Sequence, residues 1–250
     1  MCNLYTIGPK GEAERAVAAA GRRLSGADWA PRTVGPSQQG VFLLAGAEDE
    51  LYPVLGQWGM IRPGQPERVP ERRYQTNNAR IESVAEKPTY RHAWARGQRC
   101  LIPAEWYAEP NWETGRNVWW NLKRADGTPW FLAWLWSEWT DPASGEIVPN
   151  FTMLTCNCDD HPMLSRLHKP DPKLPADQQD KRSLVHLDPE HWDQWLRGTV
   201  DEALQLIHPA PVEVFDQADA VRTDALLSHG QRWMAFGRST NRVTSLQRQA

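Results

Sequence analysis

Short apolar runs separated by polar turns dominate the chain and predict a protein rich in β-strands. Gly, Pro, Asp and Asn stand between runs of aliphatic and aromatic residues that have the length of a strand. The Asp126-Gly127 pair lies between two such runs and predicts a hairpin turn. The predicted strands are Val41–Ala45, Tyr52–Trp58, Arg99–Ile102, Val118–Leu122, Trp130–Trp136, Phe151–Thr155 and Val212–Phe215.

Few segments have a helical pattern, and these are short. An alanine-rich stretch predicts a helix, and Asp188-Pro189 has the N-cap and first-turn proline typical of a helix start. The predicted helices are Glu12–Leu24, a turn at Ala93–Arg96, Pro189–Leu196 and Glu202–Ile207. Pro, Gly and charged residues predict a loop from Pro63 to Arg73. We therefore expect one α+β domain over residues 1–216, with a curved, mainly antiparallel, barrel-like sheet flanked by short helices. Residues 217–250 are polar and mixed, and are expected to form an appendage.

The chain has 250 residues, which is enough for a substantial core. We find no apolar run of membrane-spanning length and no signal-peptide pattern. The four cysteines are too few for a disulfide framework in a chain of this length. These features predict a soluble, cytoplasmic protein that acts as a monomer.

The net charge of −3 conceals a basic segment. Residues 61–100 contain nine Lys or Arg and four Glu, a local balance of +5. Such a segment is typical of a surface that binds a phosphate backbone, or of an arginine-rich face in solvent. The 14 tryptophans are core residues or platforms on which unpaired bases stack, and composition does not separate the two.

Cys2 becomes the N-terminal residue if Met1 is removed. It would then carry a thiol and an α-amine on one carbon, whose ordinary pKa values lie near about 8.5 and about 8. An aldehyde can form a Schiff base with the amine and then close onto the sulfur as a five-membered ring. An amide would instead meet a thiol nucleophile that has its own base. The alternative is a cysteine at a frayed terminus without function.

Candidate acids, bases and anchors lie in three further segments. Glu109 follows a predicted buried strand, and Glu105 is its rival. His168 lies in a loop and is suited to move protons near neutral pH. The segment Asn77-Asn78-Ala79-Arg80 contains two amides and a cation. The amides can orient a carbonyl or sugar oxygen, and the cation can bind a phosphate. Taken singly, each also fits a surface carboxylate, a loop histidine or turn residues.

A zinc site is the alternative use of the cysteines. Cys156 and Cys158, with His161 and His168, offer two thiolates and two imidazoles. The C-x-C spacing is shorter than that of structural zinc sites, and Cys156 is expected to lie in a strand. We therefore predict no metal and no other cofactor.

Together these segments resemble the SOS-response-associated peptidase (SRAP) family. They match the order and approximate spacing of that family's motifs along roughly residues 1–216. The segments are Met1-Cys2-Asn3-Leu4-Tyr5, Trp58-Gly59-Met60, Asn78-Ala79-Arg80-Ile81-Glu82, Arg99-Cys100-Leu101-Ile102-Pro103-Ala104 with Glu109 following, and Leu167-His168. The resemblance implies a DNA-damage protein that crosslinks to abasic sites in single-stranded DNA through a thiazolidine at the N-terminal cysteine. It also implies strand cleavage of the lyase type and removal of Met1 by self-processing.

The resemblance assigns roles to single residues. Cys2 would form the crosslink, Asn78 would orient the opened sugar, and Glu109 would assist ring opening and Schiff-base chemistry. His168 would move protons at the sugar hydroxyl. The expected DNA contacts are Arg80, which resembles a phosphate-binding arginine, and Asn77, Arg62, Trp58 and Trp106.

The chain departs from the family pattern in places. Asn3 and Leu4 replace the usual Gly and Arg, which removes one cation. The stretch Glu105–Pro110 replaces Asp-Gly-Phe-Tyr-Glu-Trp, and an insertion-like stretch runs from Asp171 to Lys181 after His168.

Two other functions remain open at the level of sequence. N-terminal-nucleophile glutamine amidotransferases also begin Met-Cys, but Asn3 and the lack of their Asn-Gly pair argue against that class. A non-catalytic single-strand-binding module would use the tryptophans and the basic segment for reversible, salt-sensitive binding.

Overall fold

The computed structural model describes residues 2–68 and 75–217. Strands dominate this part of the chain, as the sequence predicts, and the α-helices are α1 (Lys10–Ala19), α2 (Ile81–Val84), α3 (Arg91–Ala95), α4 (Trp192–Arg197) and α5 (Val200–Leu204). Short 3-10 helices lie at Leu164–Arg166, Pro189–His191 and Val212–Val214. The strands are β1 (Tyr5–Ile7), β2 (Arg23–Leu24), β3 (Arg32–Val34), β4 (Gln39–Ala45), β5 (Glu50–Trp58), β6 (Asn78–Arg80), β7 (Arg99–Ala104), β8 (Trp106–Asn111), β9 (Val118–Leu122), β10 (Trp130–Thr140), β11 (Ile147–Asn157) and β12 (Arg182–Leu184).

Five strands close into a barrel-like core. The antiparallel order β5-β4-β7-β10-β11 returns to β5 through a short parallel pairing of Asn150 with Gln57 and of Phe151 with Trp58. β2, β6 and β12 extend this sheet. Closure buries both the strands and the aromatic side chains that point inward, so the fold is the α+β, barrel-like domain that the sequence predicts.

A second, four-stranded sheet in the order β3-β1-β8-β9 packs on the barrel. The ring of Tyr5 on β1 lies 5.1 Å from that of Trp58 and 5.3 Å from that of Trp134, both of which belong to barrel strands. Gly40 on β4 makes room for it, since a Cβ there would overlap the Tyr5 hydroxyl. This packing draws the first residues of the chain into the protein.

Three local predictions differ from the structure. The first helix ends at Ala19 rather than Leu24, because Gly21 takes a left-handed conformation at φ 72° and the chain then enters β2. The Asp126-Gly127 turn does not form a hairpin: β9 pairs with β8, whereas β10 pairs with β7 and β11. The predicted strand Val212–Phe215 is a 3-10 turn.

The two apolar runs beside Asp126 therefore belong to different sheets: β9 pairs with the preceding strand β8, whereas β10 pairs with β7 and with the following strand β11. The loop prediction for Pro63–Arg73 lies partly outside the described residues. The predicted appendage, residues 217–250, lies almost entirely outside the described residues.

Candidate functional site

Cys2 lies inside the protein. Its side chain is 0% exposed, and its Sγ donates to the carbonyl oxygen of Leu4 at 3.3 Å. Leu4 in turn accepts the backbone N–H of Ala108 on β8 at 2.9 Å, which ties the start of the chain to the small sheet. Burial argues against the frayed terminus that the sequence left open.

Two neighbouring asparagines hold the backbone of Cys2. Asn78 begins β6, which lies parallel to β11, and its Nδ2 donates to the Cys2 carbonyl oxygen at 2.8 Å. Asn77 donates to the same oxygen at 3.3 Å and to the Asn3 side chain at 2.9 Å. A carbonyl with two amide donors is fixed in orientation, so the thiol is held in a defined place.

Glu109 and His168 lie together beside Cys2. Glu109 is buried on β8, with a side chain 4% exposed, and its Oε2 lies 3.5 Å from His168 Nδ1. Its charge is one of the causes that raise the pKa of the Cys2 thiol, and the residue before it, Ala108, donates its N–H to Leu4, two residues after Cys2. The structure thus brings Cys2, Asn78, Glu109 and His168, which the sequence predicts as a site, into one cluster.

The loop after the first 3-10 helix fixes the His168 ring. His168 has a left-handed φ of 64°, and its N–H donates to the Pro110 carbonyl at 2.6 Å. Its Nε2 lies 3.0 Å from the carbonyl oxygen of Arg182, and its own carbonyl accepts from Lys181 Nζ at 2.7 Å. A left-handed residue other than glycine is held only by such surrounding contacts.

These contacts define the protonation of the pair. A carbonyl only accepts, so Nε2 of His168 carries a hydrogen, and Nδ1 faces the Glu109 carboxyl group. Attraction between Nδ1 and Oε2 is strongest when Nδ1 also carries a proton. Burial lowers the pKa of His168, while Glu109 opposes that shift. Glu109 and His168 therefore act as a unit that can give or take one proton close to the sulfur.

The Cys2 thiol is protonated at neutral pH. Desolvation raises its pKa well above the ordinary value, and Glu109 adds to this, although backbone hydrogen bonds oppose it. A thiol in this state is a weak nucleophile until a base removes its proton. The neighbouring carboxylate and imidazole are the groups in reach for that task.

Two of the expected DNA contacts are buried, and the structure contradicts a direct contact for them. Trp58 is 0% exposed, packs edge-to-face with Tyr5 and donates from Nε1 to the Asn77 carbonyl at 2.9 Å. Asn77 is 2% exposed and holds Cys2 and Asn3. The barrel closure at β5 takes Trp58 into the core. Both residues support the site from within.

The other three expected DNA contacts reach the surface. Arg62 is exposed, Trp106 is half-buried, and Arg80 is exposed at the end of β6. Arg80 makes an ion pair with Asp180.

The Cys156–Cys158 segment shows no preorganised metal site. Both thiols are buried, and burial raises the pKa of Cys156 to about 11 and that of Cys158 to about 12. His161 accepts the N–H groups of Met163 and Leu164 on Nδ1, and its Nε2 lies 2.9 Å from the Ala210 carbonyl. Within residues 2–68 and 75–217, no three His, Cys, Asp or Glu side chains are grouped as for a metal ion.

Sequence reasoning missed Lys181 and Arg182. Lys181 is 6% exposed and donates from Nζ to the carbonyls of Leu167 and His168, both at 2.7 Å. Arg182 positions the His168 ring through its backbone carbonyl. No motif signals such roles, because they act through backbone oxygens that every residue has.

The fold and the cluster define a class: a barrel-like α+β protein with a buried cysteine at its second residue, held by asparagine amides next to a carboxylate–imidazole pair. The family model for SOS response associated peptidase (SRAP) matches residues 1–224. The chain belongs to this family.

Similar proteins agree with this assignment. The chain is 24% identical over 170 residues to the abasic site processing protein HMCES of Xenopus tropicalis, covering 61% of this chain and 48% of that protein. It thus spans about half the length of this relative. A crystal structure of a Bordetella bronchiseptica protein is 30% identical with a TM-score of 0.75, covering 89% of this chain and 100% of that one. One from Bacteroides thetaiotaomicron, 20% identical with a TM-score of 0.64, covers 89% and 94% and supports the fold alone.

No helix in the described part of the chain combines the length and apolar character needed to cross a membrane.

Proposed function

We propose that this protein captures abasic sites in single-stranded DNA through a covalent thiazolidine at Cys2. Membership of the SRAP family and similarity to a protein named for abasic site processing support an abasic-site role in the response to DNA damage. The observation that carries the proposal is the cluster of Asn78, Glu109 and His168 around the buried thiol.

The chemistry needs no oxidant or cofactor. With Met1 removed, the α-amine of Cys2 adds to the C1 aldehyde of the ring-opened sugar, and loss of one water gives an imine. The thiol then adds to the imine carbon, which forms the C–S bond, and the π electrons move to nitrogen, which takes up a proton. The products are one thiazolidine and one water.

Each residue of the cluster has a task in these steps. The Glu109–His168 pair gives a proton to the hydroxyl that leaves as water when the imine forms, and takes one from the thiol when the sulfur then adds to the imine carbon, which is general acid–base catalysis. Asn78 and Asn77 hold the Cys2 backbone so that amine and sulfur reach one carbon. His168 also serves β-elimination of the 3′-phosphate from the imine, which is the lyase reaction.

Removal of Met1 is part of the proposal. Hydrolysis of the Met1–Cys2 peptide bond consumes one water and releases the α-amine, and we assign the Cys2 thiol as its nucleophile. Without this step the amine is an amide nitrogen and forms no imine.

Incubation of the purified protein with an abasic oligonucleotide tests the function. We expect an adduct that survives a denaturing gel, has the mass of protein without Met1 plus DNA minus one water, and is absent from Cys2→Ala. Cys100→Ala is the matched control, since Cys100 is an equally buried thiol on β7.

An adduct that persists in Cys2→Ala would contradict the mechanism. Salt-sensitive binding without any adduct would favour the non-catalytic binding module. Release of ammonia from glutamine would favour the amidotransferase.

A further inference from the structure

Asp180 pairs with Arg80, the arginine that the family resemblance assigns to a DNA phosphate. It is the second-last residue of the insertion-like stretch after His168, and its carboxylate makes an ion pair with Arg80 and lies 3.2 Å from Arg182 Nη1. In the sheet, Arg80 of β6 lies opposite Thr155 on one side of β11. β12, which begins at Arg182, is hydrogen-bonded along the other side of β11. The carboxylate therefore bridges two arginines at the end of one strand.

The backbone aims this carboxylate. Asp180 has a left-handed φ of 54°, and its N–H donates to Asp159 Oδ2 at 3.0 Å. The other oxygen of Asp159 accepts the N–H of Lys181 at 2.8 Å, and Asn157 Nδ2 donates to Asp159 at 3.0 Å. The position of Asp180 is thus set by a network that does not include Arg80.

The two arginines differ in their need for Asp180. Arg182 has a side chain 5% exposed, binds Glu82 through both nitrogens at 2.9 and 2.7 Å, and donates to the Thr155 carbonyl at 2.8 Å. Arg80 has a side chain 46% exposed. Its ion-pair partner within residues 2–68 and 75–217 is Asp180, and Glu82 lies near enough to feel its charge.

We propose that Asp180 competes with a DNA phosphate for Arg80 and thereby lowers the affinity of the protein for undamaged single strands. The inference rests on the proposed function, in which Arg80 binds phosphate. Arg80 and Arg182 oppose Glu82 and Asp180, so the cluster has no net charge until the carboxylate is displaced. Carboxylate and phosphate bind the same guanidinium edge, and one excludes the other. Undamaged DNA is then released readily, while an abasic strand is retained by its covalent bond.

Asp180→Asn is the test, because asparagine tolerates the left-handed conformation and keeps the backbone N–H. We expect it to bind an intact single-stranded oligonucleotide roughly two- to fivefold more tightly, the range spanned by exposed ion pairs. The salt dependence, as log Kd against log salt, should steepen by up to about 0.7, the value for one added phosphate contact on a single strand. Fluorescence anisotropy at four salt concentrations measures both.

Two further variants separate the proposed pair from a general charge effect. Asp177→Asn removes the same charge from an exposed position in the same stretch and should change affinity less. In an Arg80→Ala background, Asp180→Asn should add nothing to affinity. Equal effects of the two Asn variants, or a gain from Asp180→Asn that persists in Arg80→Ala, would overturn the proposal.

The adduct assay distinguishes this failure from failure of the function. Adduct formation by the wild-type protein with no specific effect of Asp180 rejects only the competition. Absence of any adduct in wild type and in Asp180→Asn rejects the function itself.

Discussion

Replacement of Glu109 by Gln removes one charge from the buried cluster and keeps the shape of the side chain. Full charges 3.5 Å apart interact by about 5 kcal/mol at an effective dielectric constant of about 20. Solvent and relaxation screen the pair, so this energy is an upper bound. Because the Glu109 charge opposes the lowering of the His168 pKa by burial, we expect Glu109→Gln to lower the pKa of His168 further.

The same variant should affect the thiol in the opposite sense. Glu109 raises the pKa of Cys2, so its neutralisation should lower that pKa and increase reaction of Cys2 with a small alkylating reagent at a given pH. Adduct formation with abasic DNA should nevertheless fall, by roughly 10²- to 10⁴-fold if Glu109 is a general acid–base group. A loosened fold would also expose the buried thiol to alkylation, so the urea unfolding midpoint of Glu109→Gln should be compared with that of wild type. With the midpoint unchanged, a more reactive thiol together with slower adduct formation indicates loss of an acid–base group.

The assays are direct. Titration of the His168 ring by NMR gives its pKa, peptide mass mapping gives alkylation of Cys2, and denaturing gels give the adduct rate against pH. Glu105→Gln is the control, since Glu105 is an exposed carboxylate at the edge of the same strand. The reasoning fails if His168 titrates alike in Glu109→Gln and wild type, or if Glu105→Gln slows adduct formation as much.

Two further changes test other contacts. Asn78→Ala removes the 2.8 Å donor to the Cys2 carbonyl and should cost about 1 kcal/mol of unfolding free energy, measured in urea, and at least tenfold in adduct rate. Loss of stability with an unchanged rate would leave Asn78 a purely structural role. Burial holds the pKa of His186 at about 3. Below about pH 6.5 the unfolded state therefore binds a proton at this residue that the folded state does not. The free energy of unfolding consequently falls as the pH drops towards 3, by up to about 5 kcal/mol. In His186→Gln the urea midpoint should depend less on pH between pH 4 and 7, whereas the exposed control His208→Gln should keep the wild-type dependence. An unchanged pH dependence of the midpoint in His186→Gln would refute the assignment.

Local pattern was sufficient where a strand or helix carries its own signal. The runs around Val41–Ala45 and Phe151–Thr155 are strands because β-branched and aromatic residues suit a buried sheet from whichever side they are paired. The hairpin at Asp126-Gly127 was wrong because each run pairs with a different neighbouring strand. β9 pairs with the preceding β8, and β10 pairs with the following β11 and with β7, so the turn between them connects two sheets.

The candidate site divides in a similar way. Cys2, Asn78, Glu109 and His168 could be selected from the sequence because their chemistry is in the side chain and their order resembles a known family. Lys181 and Asp180 could not, since one acts on a backbone carbonyl and the other on a neighbour a hundred residues away in sequence.

The amino-acid sequence was enough for the fold class, the family and the residue types at the site, because these depend on periodicity and on motifs a few residues long. Burial was decided by the tertiary structure alone. From the sequence, Trp58 fits either a platform for stacked bases or a core residue, and Cys2 fits either a frayed terminus or a buried thiol. The parallel contact of β5 with β11 closes the barrel, and the packing of Tyr5 onto it encloses both residues. Such closure joins segments far apart in sequence, and its energy resides in contacts that no single segment contains.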